Sequence, residues 1–271
     1  MATLAHTLLA AGQHPPERWL LFLHGLLGQG GNWRSFGRRW VETHPTWGAA
    51  LVDLRLHGGS RAGFDPPHDV RQAAGDVLAL AGALPGPVEA LVGHSLGGKV
   101  VLAALRASGQ RFPRAVVLDA SPSARPDGLG SDQSREVLAL LATLPREYQS
   151  RAEFVRAVEA GGQSRAIAQW LAMALEAVGP AFRLSLDLQG LESLFRSVLT
   201  EDDWDVVASV PPGHRLAFVV GGRSEVVEPA ARRRLAALGP AVTLEEIPGA
   251  GHWLQVDAPE ATFAAIERAL S

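Results

Sequence analysis

The sequence predicts an α/β fold in which a mostly parallel central sheet is flanked by helices. Residues 19–23 and 115–118 are short, fully apolar runs, which are typical of parallel strands buried on both faces. Such runs alternate with stretches whose apolar residues recur at helical spacing. The chain has 271 residues, of which 47% are hydrophobic, and this suffices for the core of one large domain with an insertion.

The first third of the chain alternates strands and helices. Residues 3–9 are predicted as an edge strand, 19–23 as a buried parallel strand, 32–41 as a helix, 48–53 as a strand and 69–84 as an amphipathic helix. This order leads the chain into the segment on which the prediction of function depends.

Residues 88–105 join an apolar strand to an apolar helix through the pentapeptide Gly93-His-Ser-Leu-Gly97. The pattern is typical of a nucleophile elbow, because the tight turn strains the serine backbone and leaves space only for glycine two positions to either side. Ser95 would then lie at the top of a sheet, with the free N–H of Leu96 aimed at negative charge that develops beside it. The alternative is an ordinary glycine-rich turn with an incidental serine.

A second glycine-rich loop, residues 24–28, follows the strand at 19–23. A tetrahedral oxyanion needs two donors, and this loop nominates the backbone N–H of Leu26 as the second. Asp53 and His57 lie in another turn. We interpret both as structural, because an aspartate there more often binds loop N–H groups through its own carboxylate.

The long segment from residue 121 to 204 has a different pattern, since β-branched runs vanish and short helical stretches dominate. A strand-free stretch of this length exceeds an ordinary crossover. We predict that it is a helical cap, or lid, which roofs the serine and favours an apolar substrate, and that residues 1–120 and 205–271 form the core. The helices predicted within the cap are 136–144, 151–159, 164–178 and 191–199.

The last part of the chain supplies the candidate base. Residues 216–220 and 242–247 are predicted strands, and 259–270 is the closing helix. His252 lies in a glycine-rich loop just beyond the last strand. It follows both the serine and the candidate acids, which is the chain order of this class of elbow.

Two carboxylates compete for the role of triad acid. Asp119 ends the strand after the elbow helix, and Glu225 follows the next strand, so chain order permits either. Asp119 leaves a fully apolar run, and a buried carboxylate there is tolerable only if a group such as an imidazole N–H binds it. We therefore favour Asp119, with Glu225 as the alternative and Ser224 as a possible auxiliary acceptor around the same histidine.

Lys99 is the only lysine in a chain whose other cationic side chains are all arginine. A retained lysine in the first turns of the elbow helix indicates a position that needs a compact ammonium and a partner that offsets the helix dipole. The alternative is chance on an exposed face.

Composition excludes several classes of function. A net charge of −3 leaves no basic surface for nucleic acid, and the absence of cysteine excludes a disulfide framework, a thiol nucleophile and a cysteine-bound metal. Residues 1–18 lack the order of a signal peptide, and no apolar run is long enough to span a bilayer. We expect a cytoplasmic protein without a membrane anchor, and the oligomeric state stays open.

Motifs along nearly the whole chain resemble the alpha/beta-hydrolase superfamily, and more narrowly the YbfF-type esterases with their plant and mammalian abhydrolase relatives. The resemblance implies a serine hydrolase without cofactor or metal that cleaves small or medium acyl esters or thioesters. It implies Ser95 as nucleophile, His252 as base and Asp119 as acid, although Glu225 stands where the wider superfamily usually keeps its acid. The motifs are residues 24–28, 53–60, 93–99, 118–122, 168–170, 221–224 and 249–253.

Two other classes of function remain open. Carbon–carbon hydrolases and menaquinone-pathway lyases use the same triad, and arginines converging on Ser95 would point to the acidic substrates of that class. A non-catalytic ligand-binding receptor or scaffold on the same fold is the third possibility, because a fold does not fix a function.

Overall fold

The central sheet has seven strands in a computed structural model that describes residues 2–12, 14–128 and 132–271. The strand order is β1-β3-β2-β4-β5-β9-β10, with β1 antiparallel to β3 and every other pair parallel. The mostly parallel sheet predicted from the sequence is therefore confirmed. Its strands are β1 (His6–Leu9), β2 (Arg18–Leu23), β3 (Trp47–Val52), β4 (Val88–His94), β5 (Arg114–Leu118), β9 (Arg215–Gly221) and β10 (Val242–Ile247).

Helices cover both faces of this sheet, which is why its inner strands are apolar on both sides. In β2, Leu21 and Leu23 pack into one hydrophobic core, whereas Leu20 and Phe22 pack into the other. Helices α2 and α3 contribute to the first core, and α1 and α11 to the second. The helices outside the insertion are α1 (Arg34–Thr43), α2 (Val70–Ala83), α3 (Leu96–Ala107), α8 (Trp204–Ala208), α9 (Pro229–Ala236), α10 (Leu254–Asp257) and α11 (Pro259–Leu270).

Residues 121–204, the predicted cap, follow β5 and precede β9, and we call them the inserted segment; they contain a small sheet as well as helices. The prediction of a helix over 164–178 is wrong in its second half, and so is the expectation of a strand-free segment. Gly179 adopts a φ of 59° in a two-residue turn that pairs β7 with β8, so the chain reverses where a helix was predicted. The elements are α4 (Asp132–Thr143), β6 (Glu147–Tyr148), α5 (Arg151–Ala160), α6 (Arg165–Leu171), β7 (Leu175–Val178), β8 (Ala181–Leu184) and α7 (Leu188–Thr200).

The inserted segment leaves the core after β5 and returns through α7. Ser197 of α7 accepts a hydrogen bond from the backbone N–H of Val70, the first residue of α2, at 2.9 Å. Within the described residues, no helix combines the length and the apolar composition needed to cross a membrane.

Candidate active site

Ser95 lies in a strained turn between β4 and α3. Its φ of 53° and ψ of −115° fall outside the regions that side chains favour, as the elbow pattern predicts. A Cβ atom on Gly93 would lie 2.2 Å from the carbonyl oxygen of Gly97, and one on Gly97 would lie 2.5 Å from that of Leu23. Backbone atoms cannot move far enough to relieve such overlaps, so the turn requires glycine at both positions.

The structure brings His252 and Asp119 to this serine. His252 Nε2 lies 3.1 Å from Ser95 Oγ, and His252 Nδ1 lies 2.7 Å from Asp119 Oδ2. Because the carboxylate can only accept, the neutral imidazole carries its proton on Nδ1 and leaves Nε2 free to accept from the serine hydroxyl.

Asp119 is fully buried, yet both of its oxygens have donors. Oδ1 accepts from the backbone N–H of Gly221 at 3.0 Å, and Oδ2 accepts from Ser224 Oγ at 2.5 Å as well as from His252. These bonds hold a charge in a place where an unpaired carboxylate would be costly. Ser224 thus donates to the carboxylate and does not accept from the histidine, which corrects the role expected for it.

Glu225 takes no part in this chain of hydrogen bonds. Its side chain is exposed and has no hydrogen-bond or ion-pair partner in the described part of the chain. It lines an open groove that also contacts His252. Chain order could not separate Glu225 from Asp119, but the structure places only Asp119 within hydrogen-bond distance of the imidazole.

The two predicted oxyanion donors, Leu26 and Leu96, line one cavity together with Ser95. Neither backbone N–H has an acceptor within the residues described. The next N–H, that of Leu27, donates to His57 Nε2 at 3.0 Å, and this bond anchors the loop while the N–H of Leu26 stays free.

Buried histidines around the site act as neutral structural groups. Burial lowers the pKa of His57 to about 3 and that of His24 to about 4, so each ring has an unprotonated Nε2 that accepts a backbone N–H, from Leu27 and Leu54 respectively. Asp53 accepts from Gly30 and Gly59 through its two oxygens. The structural interpretation of Asp53 and His57 is therefore confirmed.

His94 was not singled out by sequence reasoning. Burial lowers its pKa to about 3, and its Nε2–H donates to the backbone carbonyl of His252 at 2.8 Å, which ties the elbow to the histidine loop. The sequence shows that His94 directly precedes Ser95, which places it near the site. It does not show that the ring binds a residue 158 positions further along the chain.

Lys99 is buried and fully engaged, so chance on an exposed face is excluded. Its ammonium donates to the carbonyls of Ser121 at 3.2 Å and Glu201 at 2.7 Å, and lies 2.7 Å from Asp203 Oδ2. Ser121 is where the inserted segment begins, and Glu201 and Asp203 are where it returns. One cation of the elbow helix therefore fastens both ends of the insertion.

The cavity beside Ser95 is mainly apolar. Phe195, Val198 and Leu199 of α7 form its wall toward the inserted segment. The two cations that reach it are neutralised, because Lys99 pairs with Asp203 and Arg125 lies 3.3 Å from Glu228.

The fold and this site define an alpha/beta hydrolase. The sequence profile described as the alpha/beta hydrolase family matches residues 20–266, and the chain belongs to that family. It is similar to the sn-1-specific diacylglycerol lipase ABHD11 of Mus musculus, with 28% identity over 89% of this chain and 77% of that protein. It is also similar to the esterase YbfF of Escherichia coli strain K12, with 25% identity over 93% of this chain and 92% of that protein.

Solved structures agree on the fold. A marine microorganism esterase superposes with a TM-score of 0.83 at 20% identity, covering 98% of this chain and 99% of that one. The E-2-(acetamidomethylene)succinate hydrolase superposes with a TM-score of 0.78 at 21% identity, covering 98% and 94%. Relatives named as esterases and lipases support hydrolase activity for this chain.

Proposed function

We propose that the protein is a serine hydrolase that cleaves small to medium acyl esters or thioesters through an acyl-enzyme on Ser95. The observation that carries the proposal is the chain of hydrogen bonds from Ser95 through His252 to the buried Asp119. Nucleophile, base and orienting acid stand in the order that acyl transfer requires.

The chemistry follows from these contacts. Ser95 Oγ forms a bond to the acyl carbon while its proton passes to His252 Nε2, and Asp119 stabilises the resulting imidazolium. The N–H groups of Leu26 and Leu96 bind the oxyanion. The bond to the leaving oxygen or sulfur then breaks as His252 returns the proton to it, and water repeats the sequence to release the acid.

The inserted segment acts in this proposal as the lid of the acyl pocket. Its helix α7 supplies the apolar wall through Phe195, Val198 and Leu199, which suits a hydrocarbon chain. A carbon–carbon hydrolase or lyase for an acidic substrate is less well supported, because Arg125 already pairs with Glu228. A cytoplasmic location and the absence of nucleic-acid partners stay predictions.

A series of p-nitrophenyl esters from acetyl to palmitoyl, assayed beside acyl thioesters, tests the proposal. We expect kcat/KM to be highest for short to medium acyl groups, because Phe195, Val198 and Leu199 of α7 line the cavity beside Ser95. Ser95→Ala should abolish turnover of every member. A steady rise of kcat/KM to the longest, lipase-type esters would contradict the expected pocket, and turnover that survives in Ser95→Ala would contradict the mechanism.

A further inference from the structure

A second groove meets the cavity at His252 and Val226, which line both. We call it the rim groove. It lies between the inserted segment and the loops that follow β9 and β10, and it is open to solvent. Its lining includes Asp132, Trp170, Arg223, Glu225, Trp253 and Asp257.

The proposed chemistry makes the rim groove the path for the leaving group. Ser95 and the oxyanion donors Leu26 and Leu96 line the cavity, so the acyl carbon must lie there. His252 has to return a proton to the leaving oxygen or sulfur, which requires that atom to lie against the imidazole. A leaving group that extends past His252 enters the rim groove.

The charges along this groove are predominantly negative. Asp132, Glu225 and Asp257 contribute three carboxylates against the one guanidinium of Arg223. Arg223 Nε donates to the carbonyl of Gly249 at 2.7 Å, and Asp257 accepts from the N–H of Gly251 at the same distance. Glu225 has no hydrogen-bond or ion-pair partner among the described residues, so its charge is free to act on a ligand.

Two indole rings add an attraction for cations. Trp170 and Trp253 meet edge to face, with ring centroids 4.5 Å apart, and both line the groove. Trp253 is held in place because its Nε1–H donates to Gln133 Oε1 at 2.9 Å. Aromatic faces beside carboxylates bind alkylated ammonium groups, whereas a polyphosphate would meet repulsion.

We propose that the rim groove is the leaving-group subsite and that it selects cationic over anionic leaving groups, with Glu225 as a specificity-determining residue. The inference rests on the proposed function. It gives Glu225 a role outside the triad, and it predicts that coenzyme A thioesters are poor substrates because their leaving group carries several phosphate charges.

Acetyl thioesters test this inference, because the acyl group is constant. Acetylthiocholine is compared with neutral S-(3,3-dimethylbutyl) thioacetate, and acetyl-CoA with neutral S-acetyl-N-acetylcysteamine. In the first pair only the charge of the leaving group changes, and in the second pair the charged leaving group is also larger. We expect the ratio of kcat/KM, charged over neutral, to exceed one for the first pair and to fall below one for the second. In 0.5 M NaCl the first ratio should approach one and the second should rise, because exposed charges are screened.

Glu225→Arg should lower the first ratio and raise the second, each by about three- to tenfold, which is the range expected for reversing one exposed charge near the ligand. Glu42→Arg is the matched control, since Glu42 is also exposed but lies on α1. It should leave both ratios unchanged.

Three outcomes would overturn the inference. The first is the same charged-over-neutral ratio of kcat/KM in both pairs, and the second is a higher kcat/KM for acetyl-CoA than for its neutral partner. The third is an effect of Glu225→Arg on the ratios that is no larger than that of Glu42→Arg. Failure of the proposed function is distinguishable, because the parent protein would then hydrolyse neither the p-nitrophenyl esters nor the four thioesters, and Ser95 would not react with a fluorophosphonate.

Discussion

Asp119 illustrates how the surroundings of a residue define its chemistry. The side chain is fully buried, and it accepts hydrogen bonds from Gly221, Ser224 and His252. Its backbone φ of 46° is unusual for a residue with a side chain, and the bond from its N–H to the carbonyl of Val219 helps to hold that conformation. Such a carboxylate can fix the tautomer of His252 without becoming protonated itself.

Replacing this carboxylate tests its role. Asp119→Asn should lower kcat by about three to four orders of magnitude, because the amide stabilises the wrong imidazole tautomer. Glu225→Gln should lower kcat for a p-nitrophenyl ester by less than about tenfold, since Glu225 forms no hydrogen bond with His252. Steady-state kinetics on both variants measures this contrast, and the reverse order of losses would move the triad acid to Glu225.

Ser95, His252 and the preference for Asp119 could be predicted from motif, chain order and an adjacent apolar strand. The exclusion of Glu225 could not, because it depends on which carboxylate reaches the imidazole in space. The role of Ser224 as a hydrogen-bond donor to Asp119 could not be predicted from the sequence either. The sequence places it beside the site, but only the distance to Asp119 shows where its hydroxyl points.

At the scale of elements, the elbow helix α3 fastens the inserted segment to the core. Lys99 binds both ends of the insertion, and Arg106, two helical turns further along the same face, lies 2.9 Å from the second oxygen of Asp203. Asp203 is itself buried, so its charge depends on these two cations.

Removing the ammonium should destabilise the fold. Lys99→Met leaves the carboxylate of Asp203 short of a partner, and breaking a buried ion pair costs about 3–5 kcal/mol. Lys99→Arg should also lower the free energy of unfolding, because the planar guanidinium does not fit a site built for a compact ammonium. Urea unfolding measures both, and Arg114→Met is the control at a partly buried arginine of β5. Unchanged midpoints in both Lys99 variants would contradict this account.

Local pattern predicted most elements but missed the β7–β8 hairpin and the partners of Lys99. The buried strands were recognisable because a short apolar run bounded by turn residues is typical of a buried strand. The hairpin is hard to predict because Leu175–Val178 continues the apolar spacing of α6, and a single glycine at 179 is a weak turn signal. Lys99 could be marked as unusual from composition, but two of its three partners, Glu201 and Asp203, lie about a hundred residues away.

At the scale of the whole molecule, the buried neutral histidines His24, His57 and His94 make the free energy of unfolding depend on pH. His24, His57 and His94 have pKa values of about 4, 3 and 3, against 6.5 for an exposed ring, mainly because burial penalises the charged form. Between pH 6.5 and about 4, the unfolded chain therefore takes up protons at these rings that the folded chain does not.

The free energy of unfolding should consequently fall as the pH drops from 7 to 5, by up to about 1.4 kcal/mol per pH unit for each of these histidines. His57→Gln keeps an acceptor for the N–H of Leu27 but removes a titrating ring, so its pH slope should be shallower. His14→Asn, at an exposed position, should keep the parent slope. Chemical denaturation at several pH values measures the slopes, and identical slopes in parent and His57→Gln would contradict the prediction.

The most direct test of the central claim is intact and peptide mass spectrometry after incubation with a fluorophosphonate. The account predicts one adduct per chain, located on Ser95, absent in Ser95→Ala and formed much more slowly in His252→Gln, because the hydroxyl then lacks its base. The absence of an adduct in the parent protein, or an adduct on any other residue, would contradict the assignment of Ser95 as the nucleophile.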